Sequence, residues 1–569
     1  MKALRSRRLA CILAAVLALI LVWVAAAAAA EKRPKNVIVM IVDGTGSEQY
    51  TLTRWYKGAP LSFDGILVGA VKTWIADSVV ADSAPTATAY ATGFRTSDKF
   101  ISVGPKKGTL PLMPEPSAEM QYRPLATVLE GARLKGMATG IVATSRVTHA
   151  TPAAYIAHVP NRDMENEIME QAVYQNIDVV FGGGRRHLLP AAEKGRRTDG
   201  ENLLPVLASM GYQVVGTREE MMKIKKGKVF GMFAASHMQA EIDRTEFAPA
   251  EPTLEEMTAK AIELLSLSPK GFFLMVEASQ VDWACHANDP AHLLSDMTQH
   301  DRAVKVALDF AKKDGKTLVL ALSDHDTGGM RIGNYATSKT YSQMKLEQLA
   351  QPVKQDALLD PLKKMKLSAD GMWRKMGSEV TPEKLKAVVK IYWGLDITDD
   401  DANRIIEISK QYKDEPYYGI GEVLSARYTV IGWTSHGHTG GDVPLFAFGP
   451  GSPRGLLDGP EIGIVTAKAL GLDMKGLNSR LFVEAASAFK DGQVTVDMTD
   501  RENPAVVVTQ GAKTAKLPVN KNLLILDGKT IPLEGVVVYA PDTKKAYIPL
   551  QAVNLIKGEK RALPKISQN

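Results

Sequence analysis

Five short stretches of the chain are continuously apolar and rich in β-branched residues. The first, at residues 36–42 (NVIVMIV), is typical of a strand buried on both faces. Similar runs recur at residues 138–143, 272–276, 317–322 and 444–448. Stretches with helical periodicity, such as residues 168–174 and 254–265, lie between them. Strands that alternate with helices predict an α/β fold with a mainly parallel central sheet flanked by helices.

A second pattern covers residues 330–426, where helix signals are frequent and strand signals are few. Thr381 suits a helix N-cap because Pro382 and the acidic Glu383 follow it. Thr398, followed by acidic Asp399, opens another predicted helix. We therefore predict a helical insert, and an insert of this size within a domain is typical of a lid or crown near a site.

The last part of the chain, from about residue 492, reads as short strands separated by turns. Apolar runs at residues 523–526, 536–539 and 546–550 are separated by the turn sequences Asp527-Gly528 and Pro541-Asp542. These are hairpin signals and predict a small antiparallel β module. The domain division that we predict is a targeting segment at 1–30, a catalytic domain at 31–491 and the β module at 492–569.

The first 30 residues have the composition of an export signal. A basic segment ends at Arg8, an apolar run follows from residue 9 to residue 30, and Ala28 and Ala30 suit an A-x-A cleavage site. We expect export to the periplasm, the cell envelope or the medium. The apolar run is long, so an uncleaved membrane anchor is the alternative.

Charge and cysteine content change this picture little. Four of the six net positive charges lie in the first 30 residues, which leaves a net charge of +2 for the rest of the chain. A nearly neutral body does not indicate nucleic-acid binding. The chain has two cysteines, Cys11 and Cys285, so the mature chain has no internal disulfide if the signal is removed.

Polar residues follow the predicted strands where each strand ends. Asp43 comes directly after the first run, Glu277 follows the run at 272–276, and Asp324 and His325 follow the run at 317–322. In open parallel sheets, ligands bind at the carboxyl ends of the strands. A metal explains best why carboxylates and imidazole should converge at one edge, although Asp43 before glycine is, taken alone, typical of a turn.

Two further clusters suit metal binding. Asp282 and His286 are four residues apart, so a helix would place them on one face, about 5–6 Å apart at Cβ. His436 and His438 lie in a glycine-rich turn. Each cluster alone has an ordinary structural reading, as a solvated helix face or a satisfied histidine. Oxygen and imidazole ligands without cysteine suit zinc, with magnesium at an all-oxygen position.

Ser83 is the candidate nucleophile. It precedes Pro85 and a run of small residues, a pattern that opens a helix, and a helix N-terminus favours a bound phosphate. The simpler interpretation makes Ser83 only an N-cap. Arg162 could grip two phosphate oxygens with its planar fork, although most arginines are surface residues.

Taken together, these motifs resemble the alkaline phosphatase family, in the family's order and over about residues 36–450. They are Asp43-Gly-Thr-Gly, Asp82-Ser83-Ala84 with Thr-Ala-Thr-Ala, His149-Ala-Thr151-Pro, Glu277 with Asp282 and His286, Asp324-His325, and His438-Thr-Gly. A single motif of this kind is weak, whereas six in sequence are specific. The β module is similar, over a short match, to a small domain appended to some secreted enzymes.

The resemblance implies a role for each site residue. It implies these metal ligands: Asp282, His286 and His438 for one zinc, Asp43, Asp324 and His325 for a second zinc, and Asp43, Thr151 and Glu277 for magnesium. Ser83 matches the serine that becomes phosphorylated, and Arg162 matches the phosphate clamp. His149 and Trp283 stand where some members of the family carry an acid and a lysine. The resemblance therefore does not fix the affinity for phosphate or the identity of the third metal.

The function that the resemblance implies is hydrolysis of small phosphate monoesters through a phosphoserine. A phosphodiesterase, nucleotide pyrophosphatase or sulfatase of the same superfamily is the nearest alternative, but these use threonine or a modified cysteine as the nucleophile. A non-catalytic envelope protein that binds phosphate or metal is another. A third reading gives the β module the main role, as an attachment device. Many relatives are homodimers, so the resemblance makes a homodimer possible here.

Overall fold

The computed structural model describes residues 33–111, 113–333, 355–559 and 562–567. The predicted targeting segment at 1–30 and part of the predicted insert lie outside the described residues. No helix of the described part of the chain is both long and apolar enough to cross a membrane.

A ten-stranded sheet forms the centre of the described structure. In spatial order its strands are Gly455–Asp458, Leu67–Lys72, Val443–Phe448, Thr317–Leu322, Asn36–Val42, Phe272–Ala278, Ala138–Arg146, Val179–Gly183, Val229–Ala234 and Gln213–Val215. Neighbouring strands run parallel, except that Val443–Phe448 is antiparallel to both of its neighbours. The mainly parallel sheet that the sequence predicts is confirmed.

The central strand Asn36–Val42 is fully buried because its alternating side chains enter two separate apolar cores. Ile38, Met40 and Val42 point into the core on one face, and the intervening valines and isoleucine point into the core on the other. Alternate residues of a strand face opposite sides. A strand covered on both sides therefore reads as a continuous apolar run, which explains why this one is visible in the sequence.

Helices cover both faces of the sheet. The first face is covered by Ser47–Lys57, Arg218–Lys223, Glu241–Phe247, Leu254–Leu265, Gln280–His286 and Pro290–Asp314. The second is covered by Ser83–Thr92, Val128–Leu134, Ala150–Ile156, Glu165–Tyr174, Leu204–Ser209, Gly459–Leu470 and Met474–Leu481. This is the three-layer arrangement expected when strands alternate with helices.

The described part of the insert is helical, as the sequence predicts. Its helices are Gln355–Leu362, Ala369–Met376, Pro382–Trp393, Asp399–Ser409 and Tyr418–Tyr428. Thr381 caps its helix by accepting a hydrogen bond from the backbone N–H of Lys384, and Thr398 forms a capping box with Asp401. Two-residue strands, Arg331–Ile332 and Ile431–Gly432, pair with each other where the insert leaves and rejoins the core.

Two small antiparallel sheets and a helix make up the C-terminal region. Five strands form one sheet in sequence order: Gln493–Asp497, Ala505–Gln510, Lys513–Pro518, Leu523–Leu526 and Lys529–Pro532. The second sheet joins Val483–Glu484, Lys545–Ile548 and Val538–Ala540, and the helix Leu550–Lys557 follows. The antiparallel character predicted for this region is confirmed, and the division at residue 492 stays a prediction.

The C-terminal region packs into the second core of the sheet. Val538 and Tyr547 belong to the same apolar cluster as the helices on that face, and Tyr547 also lies under the guanidinium of Arg123. Arg480 makes a two-pronged ion pair with Glu534, at 2.6 and 2.9 Å. These contacts join the C-terminal region to the rest of the chain through a shared apolar core.

We expect the substitution Tyr547→Ala to lower the free energy of unfolding by about 3 kcal/mol, because it removes a buried aromatic ring from a core that both regions share. Denaturant titration measures the change. Met498→Ala, at an exposed methionine of the same region, is the matched control and should change stability by less than about 0.5 kcal/mol. Equal effects of the two substitutions would contradict a shared core.

Candidate active site

Three neighbouring strands at the centre of the sheet end at the same edge and carry the candidate ligands there. Asp43 directly follows Asn36–Val42, and Asp324 lies two residues beyond Thr317–Leu322. Glu277 is inside the strand Phe272–Ala278 rather than after it, because parallel pairing with Ile41 extends that strand. All three carboxyl groups are fully buried. The convergence predicted from the strand ends is therefore present in the structure.

The loop after Thr317–Leu322 turns Asp324 and His325 towards the same point. One oxygen of Asp324 accepts hydrogen bonds from the backbone N–H groups of Gly44 at 3.1 Å and His325 at 3.0 Å. Gly44 has φ +70°, and a Cβ there would lie 2.7 Å from an oxygen of Asp282, so a side chain does not fit. Ligand atoms of Asp43, Asp324 and His325 lie within 4.8 Å of one another.

A second group joins Asp282, His325 and His438, whose ligand atoms also lie within 4.8 Å of one another. The rings of His325 and His438 are stacked, with centroids 3.8 Å apart. His286, one helical turn after Asp282, places its Nε2 atom 3.2 Å from the Asp282 carboxylate. Burial disfavours the charged form of His286, but Asp282 outweighs it and raises the pKa of His286 to about 9.

A third group consists of Asp43, His149 and Glu277, again with ligand atoms within 4.8 Å of one another. Burial raises the pKa of Glu277 to about 7. Burial, together with the neighbouring carboxylates of Asp324 and Asp282, raises the pKa of Asp43 well above its ordinary value. Without a compensating charge, these carboxylates are costly to bury.

Several atoms of the site lack a hydrogen-bond partner within the described parts of the chain. They are both carboxyl oxygens of Asp43, one oxygen of Glu277, one oxygen of Asp324, the hydroxyl of Thr151 and Nδ1 of His149. Buried polar atoms are nearly always paired in folded proteins. Buried oxygen and imidazole donors that converge and lack partners are the ligands that divalent cations prefer, so these residues fit a bound metal.

Ser83 is the first residue of the helix Ser83–Thr92, and it is almost fully buried. The N-cap position belongs to Asp82, so the interpretation of Ser83 as a simple N-cap is wrong. The Ser83 hydroxyl oxygen instead lies 3.1 Å from Nε2 of His325, a residue that belongs to two of the candidate ligand groups. The nucleophile candidate therefore lies beside the candidate metal centre.

Arg162 contacts two residues of the site, Asp82 and His149. One terminal nitrogen of its guanidinium donates to the Asp82 carboxylate, and the other lies 2.8 Å from Nε2 of His149. Each terminal nitrogen carries two N–H groups, so one N–H on each is left for another acceptor. The fork is thus held by protein contacts and retains donors for a bound oxyanion.

His237 is a residue of this site that the sequence analysis missed. Its ring centroid lies 4.1 Å from that of Trp283, and the ring of His149 lies 5.3 Å from both. Burial, followed by the charge of Arg146, lowers the pKa of His237 to about 2, so the ring is neutral. The signal was available, because His237 follows the strand Val229–Ala234 as the candidate ligands follow theirs.

An open cavity of about 650 Å³ leads from solvent to the site. Its lining includes Asp82, His286 and His438 of the site, together with Lys106 and Lys107. A cavity of this width admits a small phosphorylated molecule without enclosing the group attached to the phosphate.

The fold and the site together define an α/β protein with candidate divalent-cation sites beside a serine at a helix N-terminus. The model of the alkaline phosphatase family matches residues 34–472, and the chain belongs to that family. Alkaline phosphatases hydrolyse phosphate monoesters, and this chain is an enzyme of that kind.

Relatives with known names and structures agree with this assignment. Alkaline phosphatase 3 of Bacillus subtilis is 35% identical over 458 residues, which cover 78% of this chain and 90% of the relative. The Thermus thermophilus alkaline phosphatase structure has a TM-score of 0.67 and 28% identity, and the match covers 77% of this chain and 92% of that one. A TAB5 alkaline phosphatase variant with glutamate in place of a histidine, solved with magnesium in its M3 site, has a TM-score of 0.53 and 26% identity over 77% of this chain and 98% of that one.

We expect Asp43→Asn to raise the thermal stability of the metal-stripped protein, because it removes one of several buried, mutually repelling carboxylates. Zinc at about one hundred times its dissociation constant should stabilise the unsubstituted protein by about 2.7 kcal/mol and the variant far less. Thermal denaturation with and without zinc measures both effects. Asp163→Asn, at an exposed aspartate, is the control. An equal gain from zinc in both variants would show that Asp43 does not contribute to metal binding.

Proposed function

We propose that this protein hydrolyses phosphate monoesters through a phosphoserine on Ser83, with two zinc ions and one magnesium ion bound beside it. The observation that carries the proposal is the position of the Ser83 hydroxyl. It lies 3.1 Å from His325, the residue shared by the Asp43 group and the Asp282 group of candidate ligands. The Ser83 hydroxyl is therefore close to a residue of both candidate cation sites.

The metal assignment follows the donor chemistry. One zinc would be held by Asp282, His286 and His438, the second zinc by Asp43, Asp324 and His325, and magnesium by Asp43, Thr151 and Glu277. Magnesium prefers oxygen ligands, and the third set consists of oxygens alone. A ligand atom of His149 lies within 4.8 Å of those of Asp43 and Glu277, so an imidazole could also bind the third metal. In the TAB5 variant, glutamate replaces a histidine and magnesium occupies the M3 site, so the metal content of this chain should be measured. When bound, these ions supply Lewis-acid stabilisation of charge on the phosphate and alcohol oxygens.

The chain's own groups account for binding and for the covalent step. Arg162, held by Asp82 and His149, donates its remaining N–H groups to two non-bridging oxygens of the phosphate. The Ser83 oxygen attacks phosphorus and loses its proton, while the bond to the alcohol oxygen breaks and the alcohol leaves with a proton. Water then attacks phosphorus, the bond to the Ser83 oxygen breaks, that oxygen takes up a proton from the water, and phosphate leaves.

Substrate breadth follows from the shape of the entrance. The open cavity reaches Asp82, which precedes Ser83, and the candidate ligands His286 and His438. Trp283 packs against His149 and His237 and brings no positive charge to the phosphate. We therefore propose a broad range of monoesters as substrates, with phosphate itself held mainly by Arg162 and the cations.

Location and partners remain proposals from the sequence. The basic and apolar pattern of the first 30 residues supports export to the periplasm, the envelope or the medium. Envelope association, a homodimer and the absence of nucleic-acid binding stay predictions.

We expect Ser83→Ala to lower kcat/KM for an aryl phosphate monoester by at least about a hundredfold, because it removes the nucleophile. Its zinc and magnesium content should stay unchanged, since the hydroxyl is not one of the assigned ligands. Acid-quenched samples of the unsubstituted enzyme should contain a phosphorylated peptide that includes Ser83, detected by mass spectrometry.

Ser209→Ala, at an exposed helix position, is the matched control and should retain full activity. A chelator should abolish turnover of the unsubstituted enzyme. Monoester hydrolysis that survives in Ser83→Ala would contradict the proposed nucleophile. Faster hydrolysis of a diester or a sulfate ester than of the monoester would contradict the proposed substrate class.

A further inference from the structure

His436 holds His286 through a reciprocal pair of hydrogen bonds. The Nδ1 atom of His286 donates to the backbone carbonyl oxygen of His436. The Nδ1 atom of His436 in turn donates to the backbone carbonyl oxygen of His286, at 2.5 Å. The turn that carries His436 and the end of the helix Gln280–His286 are 150 positions apart in sequence, yet each fixes the other's histidine ring.

The insert holds the other side of the His436 ring. Nε2 of His436 lies 3.0 Å from the carboxylate of Glu422, which belongs to the helix Tyr418–Tyr428. Tyr418, at the start of that helix, stacks on the ring with an interplanar angle of 11° and centroids 5.3 Å apart. Both ring nitrogens therefore face acceptors, and the ring satisfies both when it donates from both.

Asn288 adds a third connection at the same place. With its amide oriented so that both polar atoms find partners, the nitrogen donates to the carbonyl oxygens of Cys285 at 3.0 Å and Ser435 at 3.1 Å. The helix end and the turn are thus joined by three side chains.

This arrangement fixes which nitrogen of His286 is free. Its Nδ1–H is engaged by the His436 carbonyl, so Nε2 is the nitrogen turned to Asp282 and to the assigned zinc position. Hydrogen bonding of the distal ring N–H sets the tautomer and orientation of a metal-binding histidine and raises its basicity. His436 has both of its own nitrogens occupied, so it is not a ligand itself.

We propose that His436 and Glu422 are positioning residues that hold His286 in place for zinc, and that the helical insert thereby sets the zinc affinity of the site. The proposal rests on the zinc assignment of the proposed function. It gives the insert a role in metal binding as well as a position beside the site, because Glu422, Tyr418 and Tyr412 of the insert all contact the ring of His436.

The test uses the full chain, stripped of metal and titrated with zinc against a chromogenic chelator. His436→Ala should weaken the binding of one zinc ion by about 10- to 100-fold. Glu422→Gln should weaken it less, because the ring keeps its bond to the His286 carbonyl. His436→Asn, which keeps a donor near the position of Nδ1, should recover part of the loss. Glu407→Gln, at an exposed glutamate of the same insert, is the matched control and should bind zinc normally.

Stability without metal separates positioning from a general structural role. The thermal midpoint of each metal-free variant should match that of the metal-free unsubstituted protein, and excess zinc should restore turnover. Zinc affinity within twofold of the unsubstituted protein in His436→Ala would overturn the proposal. The proposal would also be overturned if, in both Glu422→Gln and His436→Asn, the metal-free thermal midpoint fell together with the zinc affinity. These two variants test the proposal even if His436→Ala does not fold.

The same titration keeps the two proposals distinct. Tight zinc binding by the unsubstituted protein without monoester turnover would refute the proposed function and leave the positioning role supported. Turnover by the unsubstituted protein, with unchanged zinc affinity in the variants, would refute the positioning role alone.

Discussion

Buried negative charge at the edge of the sheet is the constraint on which the rest of this structure depends. Four carboxyl groups face one another where the central strands end: those of Asp43, Glu277, Asp282 and Asp324. Burial and mutual repulsion raise the pKa of Asp43 and of Glu277, and several of their oxygens have no protein partner among the described residues. Burying such a group of charges is costly unless protons or cations neutralise them, so we expect bound metal to stabilise the fold at this edge.

The surrounding elements fix the positions of the charged side chains. Backbone N–H groups of Gly44 and His325 fix Asp324, and Asp82 and His149 fix the Arg162 guanidinium. The insert contacts the site through the hydrogen bond between Glu422 and His436. The C-terminal region packs on the second face of the sheet through Tyr547. Parts of the chain far from the chemistry therefore contribute by limiting where the site's side chains can point.

Much of the site could be found from the sequence because the chain repeats one rule. Strands buried on both faces appear as unbroken apolar runs, and parallel strands end at one edge, so the polar residue after each run is a candidate ligand. The rule identifies Asp43 and Asp324. It missed His237 because the strand Val229–Ala234 was not among the predicted strands, and His237 lies three residues beyond its end. The rule ends the strand before Glu277 two residues too early, because pairing with Ile41 and Val42 extends that strand to Ala278.

The sequence by itself predicted the class of fold, the helix that presents Ser83 and candidate ligands such as Asp43 and Asp324, because each of these depends on local periodicity and on residue chemistry. Thr151 and the complete ligand sets were implied by the resemblance to the alkaline phosphatase family. The tertiary structure decided which ligands share a position and what holds them. Sequence alone does not show that His325 belongs to two ligand groups, or that His436 binds the His286 carbonyl rather than a metal. The contact between His436 and His286 joins residues 150 positions apart, and the ligand groups of His325 draw on separate segments of the chain. Only the packing of the sheet, the insert and the turn brings them together.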